Sequence, residues 1–154
     1  MQVGDKFPSF KLQLSDGSAF DTGNLAQKTV FFFYPKDDTP GCTTENKDFS
    51  ALAAEFARAG TMLVGISKDP PARHLKFIAK HGLSVPLASD AEQGGLSDAL
   101  GFWGEKRNYG RSYMGMIRST VLVGADGVIA RVWSPVKVKG HAEEVLAAVK
   151  ALKG

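Results

Sequence analysis

Read for the spacing of its apolar and polar positions, the chain of 154 residues divides into short runs of two different periods. FKLQL (residues 10–14) alternates as a half-buried strand does, and the cluster Ser15, Asp16, Gly17, Ser18 behind it reads as a turn. TVFFFY (29–34) is apolar throughout, the pattern of a strand covered on both faces. The period then changes. Phe49, Leu52, Ala53 and Phe56 fall at i, i+3, i+4 and i+7, which places them on one face of a helix that Gly60 is positioned to end. TMLVGIS (61–67) predicts a second buried strand. Strand, helix and strand at this spacing make a parallel βαβ unit with a right-handed crossover.

Pro70 and Pro71 open a further helix, expected to turn Leu75 and Ile78 inward and to close near Gly82. VPLA (85–88) predicts a short strand, and residues 91–100 a brief helix. Residues 101–117, rich in Gly and aromatics, carry no clear period and are expected to be irregular. STVLVG (119–124) and GVIARVW (127–133) flank Ala125 and Asp126, with Asp126-Gly127 a hairpin signal. A last helix over residues 141–152 buries Val145, Leu146, Val149 and Leu152. A βαβ unit followed by a strand, an antiparallel pair and a closing helix is the thioredoxin-like plan, an α/β fold with a central mixed β-sheet flanked by helices. With no repeat, low-complexity tract or Pro/Ser-rich linker, residues 1–154 are expected to form a single domain.

Composition narrows the function. Hydrophobic content of 44% with 23% charged residues is ordinary for a soluble globular chain. A formal charge of +3 is spread out apart from Lys106, Arg107, Arg111 and the short run at 137–139, so no nucleic-acid stripe is expected. No apolar run reaches the length of a membrane span. The opening MQVGDKFPSF lacks the layout of a secretory signal. One cysteine cannot form an internal disulfide, which agrees with a reducing, cytoplasmic setting.

That cysteine, Cys42, carries the chemistry. A free cysteine is by default a small buried hydrophobe, but the segment TPGCTTEN (39–46) points elsewhere. Thr39 is a good N-cap and Pro40 a good first helical residue. Cys42 then falls in the first turn, where unpaired N–H groups and the positive dipole end favour a thiolate. Gly41 carries no side chain, so a small substrate can approach the backbone amides closely. The carboxyl end of a parallel strand, where TVFFFY delivers this turn, is also a common place for a site.

YPKDDTPGCTTE (34–45) resembles the active-site motif of the peroxiredoxins, Pro-x-x-x-Thr-x-x-Cys, carried here by Pro35, Thr39 and Cys42. GFWGEKRNYGRSYMGMIRSTVLVGADG (101–127) and VKVKGHAEEVLAAVKAL (136–152) look like the Q-type branch, also called bacterioferritin comigratory protein. The resemblance implies that Cys42 is the peroxidatic cysteine, Arg118 the active-site arginine and Glu45 the acid that helps hold it. The implied activity is reduction of hydrogen peroxide or small alkyl hydroperoxides, with no cofactor and no metal. A guanidinium stays charged and offers donors in a fixed fork, so Arg118 suits both the thiolate and the peroxide oxygens. Thr39 is expected to donate its hydroxyl to one peroxide oxygen while accepting from a backbone amide. Pro35 shields the sulfur sterically. Gly41, Thr39 and Arg118 form the expected substrate-binding set. Taken singly, each residue has a plainer reading: Thr39 a cap, Arg118 a surface arginine, Glu45 a first-turn acid, Pro35 a strand terminator.

The chain departs from the Q-type pattern at position 47, five residues on, where many members have a resolving cysteine and this chain has Lys47. A sulfenic acid on Cys42 must therefore be reduced by an outside thiol: thioredoxin, glutaredoxin or glutathione. A monomer or weak dimer is expected. A disulfide exchanger would need a C-x-x-C pair, which is lacking. A redox-sensing or client-holding module with slow turnover is the alternative reading. His74, His81 and His141 are too dispersed for a metal site and are expected to be exposed polar residues. Phe102, Trp103, Tyr109 and Tyr113 are expected to be partly buried near the site.

Overall fold

A computed structural model describes residues 2–90, 95–108 and 110–152. Seven strands form one mixed sheet in the order β2-β1-β5-β4-β3-β8-β9. They are β1 (Lys11–Leu14), β2 (Ala19–Asp21), β3 (Lys28–Phe33), β4 (Thr61–Ser67), β5 (Leu87–Ser89), β8 (Ser119–Val123) and β9 (Ile129–Trp133). β3, β4 and β5 run parallel, while β8 lies antiparallel to β3 and β9 to β8. This is the mixed sheet that the order of elements predicts. β2, a three-residue edge strand, is too short to show in the pattern.

The alternation along β3 divides the core in two. Val30 and Phe32 face a cluster with Phe49, Phe56, Phe77, Leu122, Val145 and Val149, beneath the helices. Phe31 and Phe33 face the other side, with Phe7, Val64, Ile66, Leu96, Phe102 and Val121. Both faces of β3 are fully covered, which is why its run is apolar without interruption.

The helices are α1 (Pro40–Ala51), α2 (Ala53–Arg58), α3 (Pro71–His81), α4 (Leu96–Ala99) and α5 (His141–Ala151). The single helix expected from Pro40 through Phe56 is in fact two. The Leu52 amide donates three residues back to Phe49, and the Leu52 carbonyl then accepts from Glu55 and Phe56, so Leu52 ends one helix and caps the next. Gly82 closes α3 in the left-handed conformation, at φ +61°.

Three further expectations fail. Residues 101–117 are not irregular: β6 (Trp103–Asn108) and β7 (Arg111–Met116) pair as an antiparallel ribbon apart from the main sheet. Leu75 does not turn inward but is 51% exposed; His74 and Phe77 occupy the buried stripe of α3. His74 and His141 are accordingly core residues rather than exposed ones, and His81 is largely covered too.

Candidate active site

The site is assembled by three segments: the loop of residues 34–39 leaving β3, the first turn and a half of α1, and the residue before β8. Thr39 precedes α1 with extended backbone and its carbonyl accepts from Thr43. Its hydroxyl does not take the expected amide proton. It donates instead to the Lys36 carbonyl at 2.8 Å, so the cap is made by main chain alone. Pro40 takes the first helical position, where its missing N–H costs nothing.

Cys42 lies in the first turn, as expected, but it is also core: 1% exposed, within the cluster that holds Phe32 and Phe49. The choice between a helix-start thiol and a buried one was no choice. Arg118 reaches it across 76 positions of sequence, its Nη2 donating to Sγ at 3.4 Å. The other arm of the fork, Nη1, donates to Glu45 Oε1 at 2.6 Å. Glu45 is thus brought together with Arg118 and Cys42, one turn along from the cysteine. Burial tends to lower the Arg118 pKa, but Glu45 and Cys42 more than reverse this and raise it. Glu45 is pushed up to about 7 by its burial, which the guanidinium only partly offsets. The reason is local: only Oε1 is satisfied, and the buried Oε2 has no hydrogen-bond partner.

Gly41 is there for space. A Cβ at this position would stand 3.1 Å from Arg118 Nη2, closer than a side chain sits without displacing its neighbour. A cleft of about 610 Å³ opens beside it, lined by Pro40, Gly41 and Thr44 from α1 and by Gly140, Ala142 and Glu143 at the head of α5. Pro35 and Thr39 stand on the loop, half-buried.

Several contributors escaped the sequence reading. Asn46 Nδ2 donates to the Cys42 carbonyl at 2.9 Å and braces the turn from inside. Lys106 of β6 donates to the Met116 carbonyl at 2.6 Å, two residues before Arg118. Burial and the nearby Arg118 lower its pKa, against the pull of Cys42. His141 Nε2 lies 2.8 Å from the Thr120 hydroxyl, with its ring edge-on to Phe49 and Trp133. Burial, aided by Arg118 and opposed by Glu144, holds His141 below its ordinary value. Of the aromatics expected near the site, Phe102 is core on the opposite face of the sheet, against Phe33. Trp103 packs on the same side with Lys68 over its ring, and Tyr113 is exposed; Tyr109 lies outside the described residues.

Residues 3–132 match the model of the AhpC/TSA family. The chain belongs to that family. Within it, the chain is 48% identical over 122 residues to the peroxiredoxin Bcp of Xanthomonas campestris, covering 79% of this chain and 76% of the other. It is 42% identical over 147 residues to a putative peroxiredoxin bcp of Helicobacter pylori, covering 95% and 96%. The structure superimposes with a TM-score of 0.85 on the bacterioferritin comigratory protein of Xanthomonas campestris, at 43% identity, covering 92% and 90%. That protein is described as having an alkyl peroxide reduction activity. This AhpC/TSA chain therefore has the thioredoxin-like fold of the peroxiredoxins and is a thiol-dependent oxidoreductase of their Bcp branch. Its lone cysteine leaves it without a resolving partner. Among the described residues no helix is long and apolar enough to cross a membrane.

Proposed function

We propose that this peroxiredoxin reduces hydrogen peroxide and small alkyl hydroperoxides at Cys42 by a one-cysteine cycle. The Cys42 thiolate attacks the nearer peroxide oxygen: an S–O bond forms, the O–O bond breaks, and water or an alcohol leaves once the departing oxygen gains a proton. An outside thiol then attacks the sulfenic sulfur and releases water. A second thiol resolves the mixed disulfide and regenerates Cys42. Thioredoxin, glutaredoxin and glutathione each supply the required thiols. The protein works as a single domain, a monomer or weak dimer, in the cytoplasm.

The observation that carries the reading is the Arg118 fork, one nitrogen on the sulfur and one on Glu45. Glu45 fixes the guanidinium, so the nitrogen beside Sγ is already aimed where charge develops on the peroxide oxygens. Gly41 leaves the approach to that nitrogen open. Thr39 joins the donor set when its hydroxyl turns from the Lys36 carbonyl to the peroxide, and Pro35 shields the sulfur.

The test is peroxide consumption, with mass spectrometry of Cys42 after one equivalent of peroxide and then a panel of reducing thiols. Cys42→Ser should consume none. Arg118→Ala should slow oxidation by a factor on the order of 10² to 10³, the usual loss for one oxyanion donor. Full activity in Cys42→Ser would refute the reading.

A further inference from the structure

The strongest polar feature the reaction leaves unused is a buried network behind the loop of residues 34–39. The Tyr34 hydroxyl donates to Asp37 Oδ1 at 2.6 Å, and His74 Nδ1 lies 2.6 Å from Asp37 Oδ2. His74 Nε2 faces the Ala88 carbonyl of β5 at 3.2 Å. All three side chains are essentially inaccessible to solvent. Both ring nitrogens therefore meet an oxygen, one on the loop and one on β5. No polar atom of this trio is left unsatisfied. A second tie runs from the main chain: the Asp37 amide donates to Asp69 Oδ2 at 2.8 Å, and Ser67 donates to the same oxygen at 2.7 Å.

The next residue reverses direction. Asp38 adopts φ +62°, a left-handed conformation uncommon outside glycine, and turns outward to Lys80 and His81 at 2.7 and 2.8 Å. Two successive aspartates thus fasten the loop to the two ends of α3, one from inside and one from outside. The loop is the segment that carries Pro35 and Thr39. Glu45 lies within α1 and Arg118 ahead of β8, so α3 gives the loop half of the site an anchor in addition to its junction with α1 at Thr39.

We propose that Tyr34, Asp37 and His74 form a positioning latch for the peroxide reaction: by fixing residues 35–39 they set where Pro35 and Thr39 stand ahead of the turn that carries Cys42, without touching substrate. The proposal rests on reading Cys42 as the reacting thiol. Its distinguishing element is the bond from His74 to Asp37, because that bond holds the loop, whereas the bond to Ala88 only holds the histidine.

Two substitutions separate these bonds. In His74→Asn the amide nitrogen stands where Nδ1 was and keeps the donor to Asp37. In His74→Gln it stands near the old Nε2 and keeps Ala88. If His74 merely fills volume, Gln is the better replacement, being nearer in size. Two rates are read on folded protein: oxidation of Cys42 by hydrogen peroxide, and alkylation of Cys42 by iodoacetamide. His74→Asn should stay within about threefold of wild type in both. His74→Gln and Asp37→Ala should lose about tenfold or more in oxidation, as expected for a misplaced positioning group, and gain as much in alkylation. Asp37→Asn, which can still bond Tyr34 and the ring, should resemble wild type. Gln equal to Asn, or Asp37→Ala equal to wild type, overturns the latch. Should Asp37→Ala not fold, the Asn and Gln pair decides. Wild-type protein that consumes no peroxide would count against the proposed function, while the alkylation rates would still judge the latch.

Discussion

Glu45 offers a sharp quantitative test, because its two oxygens are treated so differently. Oε1 receives a 2.6 Å bond from Arg118, while Oε2 is buried with no partner. The folded protein holds the Glu45 proton up to about pH 7, chiefly through burial, against an ordinary 4.5 for the unfolded chain. Between those values the folded state binds the more protons, so each rise in pH erodes stability. A gap of this width corresponds to about 3 kcal/mol, absent below pH 4.5 and fully expressed above pH 7. Glu45→Gln carries no charge at any pH and removes this dependence. Urea unfolding of both proteins from pH 4.5 to 8 isolates it, since the other titrating groups nearly cancel in the difference. Stability of the Gln variant relative to wild type should climb by about 3 kcal/mol as pH rises across the window. A flat difference would mean that Arg118 fully compensates the buried carboxylate. A falling one would mean that the ion pair outweighs desolvation, and either result refutes the account given of this pair.

Two further substitutions test packing at and behind the site. Gly41→Ala places a methyl 3.1 Å from Arg118 Nη2, so the guanidinium must shift by a few tenths of an ångström. Peroxide oxidation of Cys42, followed by stopped flow, should slow by roughly tenfold with little change in thermal stability. Gly65→Ala on β4 drives a methyl to 2.7 Å from Leu87 and 2.8 Å from Phe32. Denaturant unfolding should register a loss of about 1–3 kcal/mol from overpacking.

What could be read from the residues depended on whether burial imprints a period. β3 and β4 sit between covered faces and announce themselves as apolar runs. The start of α1 is visible in Thr39 and Pro40 because capping chemistry is local. The ribbon of β6 and β7 gives no such sign. WGEKRN and RSYMGM are mostly exposed or half-buried on both faces, so main-chain pairing holds them and no alternation results. On α3 the inward stripe is filled by His74 together with Phe77, and a reading that seeks apolar residues selects Leu75 instead. Polar residues buried with partners defeat hydrophobic patterning, and two of the three latch residues, Asp37 and His74, are of this kind. The meeting of Cys42 with Arg118 lies beyond any local rule. The sequence resemblance anticipated it, and the antiparallel pairing of Phe33 with Ser119 brings it about in space.

The interruption at Leu52 gives that flank of the molecule a seam. The helical ladder breaks at the cap the two helices share, so unwinding the twelve residues ahead of it need not drag along the shorter helix that anchors Phe56. The main hydrophobic sacrifice would be the Phe49 ring, stacked 4.4 Å from Phe32 and worth about 1.5–3 kcal/mol when buried. Unwinding would also break the Glu45–Arg118 ion pair and uncover Asn46, so the seam marks where such an opening would stop and not how often it occurs. A sulfur sealed in the average structure would come into the open by that one local melting, with the sheet and the shorter helix left standing.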